Sequence, residues 1–131
     1  MASKTDAEQN GKISDFVGEL RNDRGELVGQ FWSDVQHKLF IFRYRPECAD
    51  EKLQANFNRT YSMFRAFAQR FGWALVDYTE LKRAIDRFAV AARQNRVNAL
   101  PTITLVVRVV NHATSEKIRL VFHLYKIGQL T

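Results

Sequence analysis

Residues 50–72 read DEKLQANFNRTYSMFRAFAQRFG. Leu53, Phe57, Tyr61, Phe64, Phe67, Ala68 and Phe71 recur there at three- and four-residue spacing, the stripe of a helix that buries one face. Asp50 stands where a side-chain oxygen can accept an orphan N–H of the first turn, and Gly72 where the chain must leave the helix in a left-handed conformation. The stretch therefore predicts a capped amphipathic helix, and a face so rich in aromatic rings needs a sheet to cover it.

Upstream, Ile13 to Arg21 alternates loosely, and Asn22-Asp23-Arg24-Gly25 supplies turn formers with glycine last, the preference of a type I turn closed by a G1 bulge. The returning strand, Glu26 to Ser33, holds Gly29 beside Phe31 and Trp32, which predicts a bulge or a close backbone approach. After Asp34-Val35-Gln36-His37 a third strand runs from Lys38 to Arg45 and stops at Pro46. Downstream of the helix, Trp73 to Val76 is short and apolar. Asp77 or Thr79 then caps a second helix that ends near Asn95 and buries Leu81, Ile85, Phe88 and Ala92. Arg96 to Pro101 is a connector. Thr102 to Val110 and Lys117 to Ile127 form a final hairpin across Asn111 to Glu116.

The order β-β-β-α-α-β-β predicts an α+β fold, an antiparallel-rich sheet of about five strands with both helices packed on one face. Residues 1–11 carry Lys4, Asp6 and Glu8 where an export signal needs an apolar run, so they read as a flexible tail. Residues 12–131 read as a single domain. Of the 131 residues, 46% are hydrophobic and 26% charged, with six glycines and two prolines, which excludes disordered and fibrous classes.

One cysteine, Cys48, allows no intramolecular disulfide and points to a reducing compartment, so the expected location is the cytoplasm. The most apolar run, Ile103 to Val110, is broken by Arg108 and falls far short of the ~20 residues of a bilayer-spanning helix. No membrane partner is expected. The net charge of +6 and a pI near 9.8 favour polyanions. Thirteen arginines to seven lysines sharpen the inference, because a guanidinium fork matches phosphate and stacks on bases.

Signals for catalysis are poor. His37, His112 and His123 lie at no metal-ligand spacing, and no nucleophile elbow, Walker-type loop or G-x-G-x-x-G is present. Cys48 precedes the first helix without a neighbouring histidine and reads as a structural thiol. The expectation is a non-enzymatic protein with no cofactor and no metal.

Sorting strand residues by face locates the basic side chains. In the final hairpin Ile103, Leu105, Val107, Val109, Ile118, Leu120, Phe122 and Leu124 point to the core. Thr102, Thr104, Val106, Arg108, Lys117, Arg119, Val121, His123 and Tyr125 point outward. In the third strand Phe40, Phe42 and Tyr44 go in while Leu39, Ile41, Arg43 and Arg45 come out. If Phe16 and Leu20 point inward, the first strand exposes Asp15, Glu19 and Arg21. The mixed arginine and apolar face needs a cover. The expected cover is RNA or single-stranded DNA, held mainly at its phosphates by Arg43, Arg45, Arg108, Lys117, Arg119 and His123, with Tyr125 for stacking. The alternative is a protein-interaction or assembly subunit, as in secretion, conjugation or a virion, using that face for a partner or a homodimer. A second basic candidate is the second helix with its exit, where Lys82, Arg83, Arg87, Arg93 and Arg96 stand off the apolar stripe with Glu80 and Asp86 spaced to pair with some of them.

Overall fold

A computed structural model describes residues 15–94 and 103–124. Its elements are β1 (Asp15–Arg21), β2 (Leu27–Asp34), β3 (Leu39–Tyr44), α1 (Glu51–Phe71), β4 (Ala74–Asp77), α2 (Tyr78–Gln94), β5 (Ile103–Asn111) and β6 (Glu116–Leu124), with a 3-10 turn at Pro46–Cys48. The fold is α+β. The predicted tail, the connector after α2 and Tyr125 lie outside the described residues, as do the side chains of Phe88, Ala92 and Arg93.

Local chemistry places these elements. The Asp50 carboxylate accepts from Leu53 N at 2.8 Å, and Gly72 leaves α1 at φ 72° with its N–H on Ala68 O. In the first hairpin, Gly25 N donates to Asn22 O at 2.9 Å and Gly25 sits at φ 79°, the expected glycine-closed turn. The Asp77 carboxylate accepts from Thr79 N at 2.8 Å at the start of α2. Gly29 makes the expected close approach: a Cβ there would lie 2.7 Å from Phe57 Cδ1. A register shift between Leu20 and Arg21 adds a bulge in β2 beside it.

The sheet corrects the expectation of about five strands in one layer. Four strands pair in the order β1-β2-β3-β4, antiparallel except for the parallel β3–β4 pair, while β5 and β6 form a separate two-stranded ribbon. The additional strand is β4. Its Ala74, Leu75 and Val76 are all buried, the continuous apolar run of a parallel strand covered on both sides.

The helices do not share a face, which is the second correction. On one side of the sheet α1 sets Phe57, Phe64 and Ala68 against Phe31, Phe40, Phe42 and Leu75. On the other side α2 and the ribbon set Leu81, Leu105, Val107, Val109 and Phe122 against Leu39, Ile41, Ala74 and Val76. Leu39 and Ile41, expected to face outward, are therefore core residues. Their cover is the ribbon of the same chain.

Two further expectations change for local reasons. A bulge at Val17 shifts the β1 register between Phe16 and Gly18, so Phe16 turns to Trp32 instead of sharing the Leu20 face, and it is 54% exposed. On α1, Phe67 and Phe71 lie at the margin of the buried stripe and are 38% and 54% exposed.

Candidate nucleic-acid interface

The β5–β6 ribbon folds around the free edge of β4. Leu75 turns its N–H and C=O away from β3, and the turn of the ribbon satisfies both: Asn111 Oδ1 accepts from Leu75 N at 3.0 Å and His112 N donates to Leu75 O at 2.7 Å. The same Asn111 oxygen accepts from Ala113 N at 3.0 Å. Gln69 Nε2 donates to Ala113 O at 2.7 Å, and the Tyr61 hydroxyl meets His112 Nδ1 at 2.9 Å, so α1 grips the turn from the far side of the sheet. Burial of the Tyr61 hydroxyl pushes its pKa up, with smaller contributions from Arg65, which lowers it, and Asp77, which raises it. On the near side Val110 N donates to Glu80 Oε1 of α2 at 3.3 Å.

With one ribbon face fixed on the core, strand alternation turns the other outward. Antiparallel register sets Thr104 opposite His123, Val106 opposite Val121, Arg108 opposite Arg119 and Val110 opposite Lys117. Arg108, Lys117, Arg119 and His123 are exposed, together with Val106 at 43% and Val121 at 42%. The sorting of hairpin residues into inward and outward sets thus matches the described ribbon.

Two arginines directly opposite on a ladder repel, and like-charged cross-strand pairs destabilise a sheet. Neither Arg108, Arg119 nor Lys117 makes an ion pair among the described residues. His123 Nδ1 lies 3.3 Å from Thr104 Oγ1 across the strands. Among the described residues the row is a strip of cations without ion-pair partners, set in a short apolar and hydroxyl surface.

Arg43 and Arg45 do not join that strip. The Arg43 guanidinium stands over the Tyr78 ring at 5.4 Å, and Trp32 stacks on Tyr78 with ring centroids 5.2 Å apart. Arg45 pairs with Glu47 at 3.4 Å beyond the end of β3. Tyr125, the expected stacking residue, lies outside the described residues. The single outer face expected for β3 and the hairpin is therefore split, because the ribbon lies on the sheet instead of extending it.

Comparison with protein-family models, with curated proteins and with solved structures finds no match.

The second basic patch stands out more in the fold than in the sequence. It sits on α2 beside Arg43, at a depression of about 460 Å³ that Arg43, Tyr78, Lys82, Arg83, Asp86 and Arg87 help to line. Glu80 is spaced to pair with these cations, yet it bonds the β5 backbone instead. Asp86 is engaged by Lys82 at 2.8 Å, a contact that raises the Lys82 pKa. The tertiary destination of Glu80 is one feature that separates this patch from an ordinary solvated helix face.

The described histidines bond within the fold. His37 Nδ1 meets the fully buried Asp34 Oδ2 at 2.8 Å and its backbone N donates to Asp34 Oδ1, which closes the β2–β3 turn. The His37 ring packs on Phe122 of the ribbon. Cys48 is buried, with its carbonyl accepting from Asn22 Nδ2 at 3.0 Å. Among the described residues no three His, Cys, Asp or Glu side chains gather as a metal-ligating group, and no helix is long and apolar enough to cross a membrane.

Proposed function

We propose that this is a non-enzymatic nucleic-acid-binding protein that holds RNA or single-stranded DNA through the exposed face of the β5–β6 ribbon, mainly at phosphates. The observation that carries the reading is Arg108 directly opposite Arg119 with Lys117 alongside, a row with no carboxylate partner among the described residues. An unpaired row of this kind weakens the isolated ladder, and a polyanion laid across it converts the repulsion into charge-assisted contacts. The basic net charge adds long-range attraction, and few base-reading groups on the row mean little sequence preference.

The test is oligonucleotide affinity across a salt series. Counterion release predicts a steep inverse dependence, and each phosphate of a single strand that the protein no longer neutralises lowers the logarithmic slope by about 0.7. Exchanging Arg108 and Arg119 together for Gln lowers it by about 1.4. An unchanged slope defeats the reading.

A second reading, a protein-interaction or homodimer role, draws on a different surface. Met63, Phe67 and Phe71 are exposed on α1, on the side of the sheet away from the ribbon's basic row. Under that reading Phe67→Ser with Phe71→Ser lowers the sedimentation coefficient and leaves the salt slope alone.

A further inference from the structure

The depression between β3 and α2 combines three features that an ordinary helix surface lacks. First, Arg43 is held over the Tyr78 ring at 5.4 Å, a contact that positions a guanidinium without neutralising it. Second, Arg83 and Arg87 are one turn apart on α2, and like charges at that spacing oppose helix formation unless something compensates them. Third, both neighbouring carboxylates are engaged elsewhere, Asp86 Oδ2 by Lys82 and Glu80 Oε1 by Val110 N. Arg43, Arg83 and Arg87 make no ion pair among the described residues.

The depression is also next to the ribbon. Both α2 and the ribbon cover the same face of the sheet, and the Glu80 contact joins the first turn of α2 to Val110. Val110 is opposite Lys117 and two residues along β5 from Arg108. Along their own elements, Arg83 lies about 4.5 Å from Glu80 and Arg108 about 7 Å from Val110, the two residues in contact. A volume of about 460 Å³ is ample for a phosphodiester group and part of its sugar.

We infer that this depression is a second phosphate subsite, in which Arg43, Arg83 and Arg87 take a phosphodiester group of the same strand that crosses the ribbon. The inference rests on the nucleic-acid reading above, and the two fail separately in one experiment. Three proteins are compared with the unaltered chain for binding of a labelled oligothymidylate of about twelve nucleotides, long enough to reach both patches. They are Arg83→Gln with Arg87→Gln, Arg108→Gln with Arg119→Gln, and Asp86→Asn. The first lowers the logarithmic salt slope by about 0.7, the effect of one phosphate no longer neutralised. Asp86→Asn frees Lys82 and moves binding the other way, tighter and steeper in salt. A misfolded variant cannot give that opposite response.

A local signal comes from Trp32, which stacks on Tyr78 and becomes the sole tryptophan in a Trp73→Phe background. Oligonucleotide that draws Arg43 away from Tyr78 changes Trp32 emission, and Arg83→Gln with Arg87→Gln abolishes the change. A slope reduced only in the ribbon variant overturns the subsite and keeps the ribbon reading. A slope reduced only in the α2 variant overturns the ribbon reading, and with it the shared strand, and leaves the depression as the phosphate site. A slope unchanged in both overturns both. An equal Trp32 response to inorganic phosphate at the same phosphate concentration overturns the assignment to a strand, because the depression then takes the free anion.

Discussion

Arg119→Gln should make the free protein more stable while weakening its hold on nucleic acid. Arg119 is directly opposite Arg108, with Lys117 on the same exposed face and diagonal to Arg108. Facing positions bring Cβ atoms to about 5 Å, and like charges there cost about 0.2–1 kcal/mol. Both side chains are solvated, so the lower part of that range applies, and relief of the repulsion is worth about 0.3–0.5 kcal/mol at low ionic strength. For a chain of this size that raises the melting temperature by about 1–2 °C. The gain shrinks with added salt, because the Debye length falls from about 30 Å at 0.01 M to about 8 Å at 0.15 M. Meanwhile the binding slope falls by about 0.7. Between about 50 and 200 mM salt the unaltered protein then loses about 2.6-fold more affinity than the variant. Calorimetry of the free protein and anisotropy of a labelled oligonucleotide read the two effects on one preparation. A destabilised variant, or a stability gain indifferent to salt, would refute the reasoning by showing that Arg119 is already satisfied within the fold.

Phe64→Ala should destabilise the domain by about 3–5 kcal/mol in urea denaturation, because Phe64 is buried between Phe31 and Phe40, whereas Arg59→Ala on the exposed side of α1 changes it by under about 0.5 kcal/mol. Gly29→Ala drives a methyl group against a Phe57 ring that stacks on Tyr44 and Phe31, and should cost about 1–2 kcal/mol net. The same exchange at Gly18, where nothing lies within 4 Å, should be neutral or mildly stabilising; equal midpoints would contradict the close approach. Burial holds the Tyr61 pKa above its ordinary value of 10.0, so the folded state keeps that proton longer than the unfolded chain does. Its contribution is complete below about pH 10 and is lost as pH rises through the folded value. Midpoints should therefore fall above about pH 10 more steeply in the unaltered protein than in Tyr61→Phe.

The parts of the fold that were legible in the sequence are those whose cause is local. Asp50 and Gly72 bound α1 because capping needs only neighbours, and the glycine-closed turn at Gly25 follows from four consecutive residues. The outward set of the ribbon was legible because alternation has a period of two and no bulge interrupts β5 or β6. Where a bulge does intervene, at Val17, alternation puts Phe16 on the wrong face. The sheet order was not legible for a different reason. Leu39 and Ile41 carry the same apolar signal whether covered by another protein or by the ribbon of their own chain, and only three-dimensional packing distinguishes the two. The α2 patch is obscured in the same way, since spacing makes Glu80 a helix ion-pair partner while the fold directs it to Val110.

The placement of the ribbon explains how unpaired cations are tolerated at two neighbouring sites. The turn of the ribbon is tied to β4 through Asn111 and His112, to α1 through Gln69 and Tyr61, and to α2 through Glu80, so the backbone that carries its outer face is held in place. Glu80 serves this framework and Asp86 engages Lys82, and no carboxylate pairs with Arg43, Arg83, Arg87, Arg108 or Arg119 among the described residues. A surface selected only for solubility intersperses both signs of charge. Here Glu80 supports the backbone while guanidiniums face outward on a fixed frame, the arrangement on which the proposed polyanion contact rests.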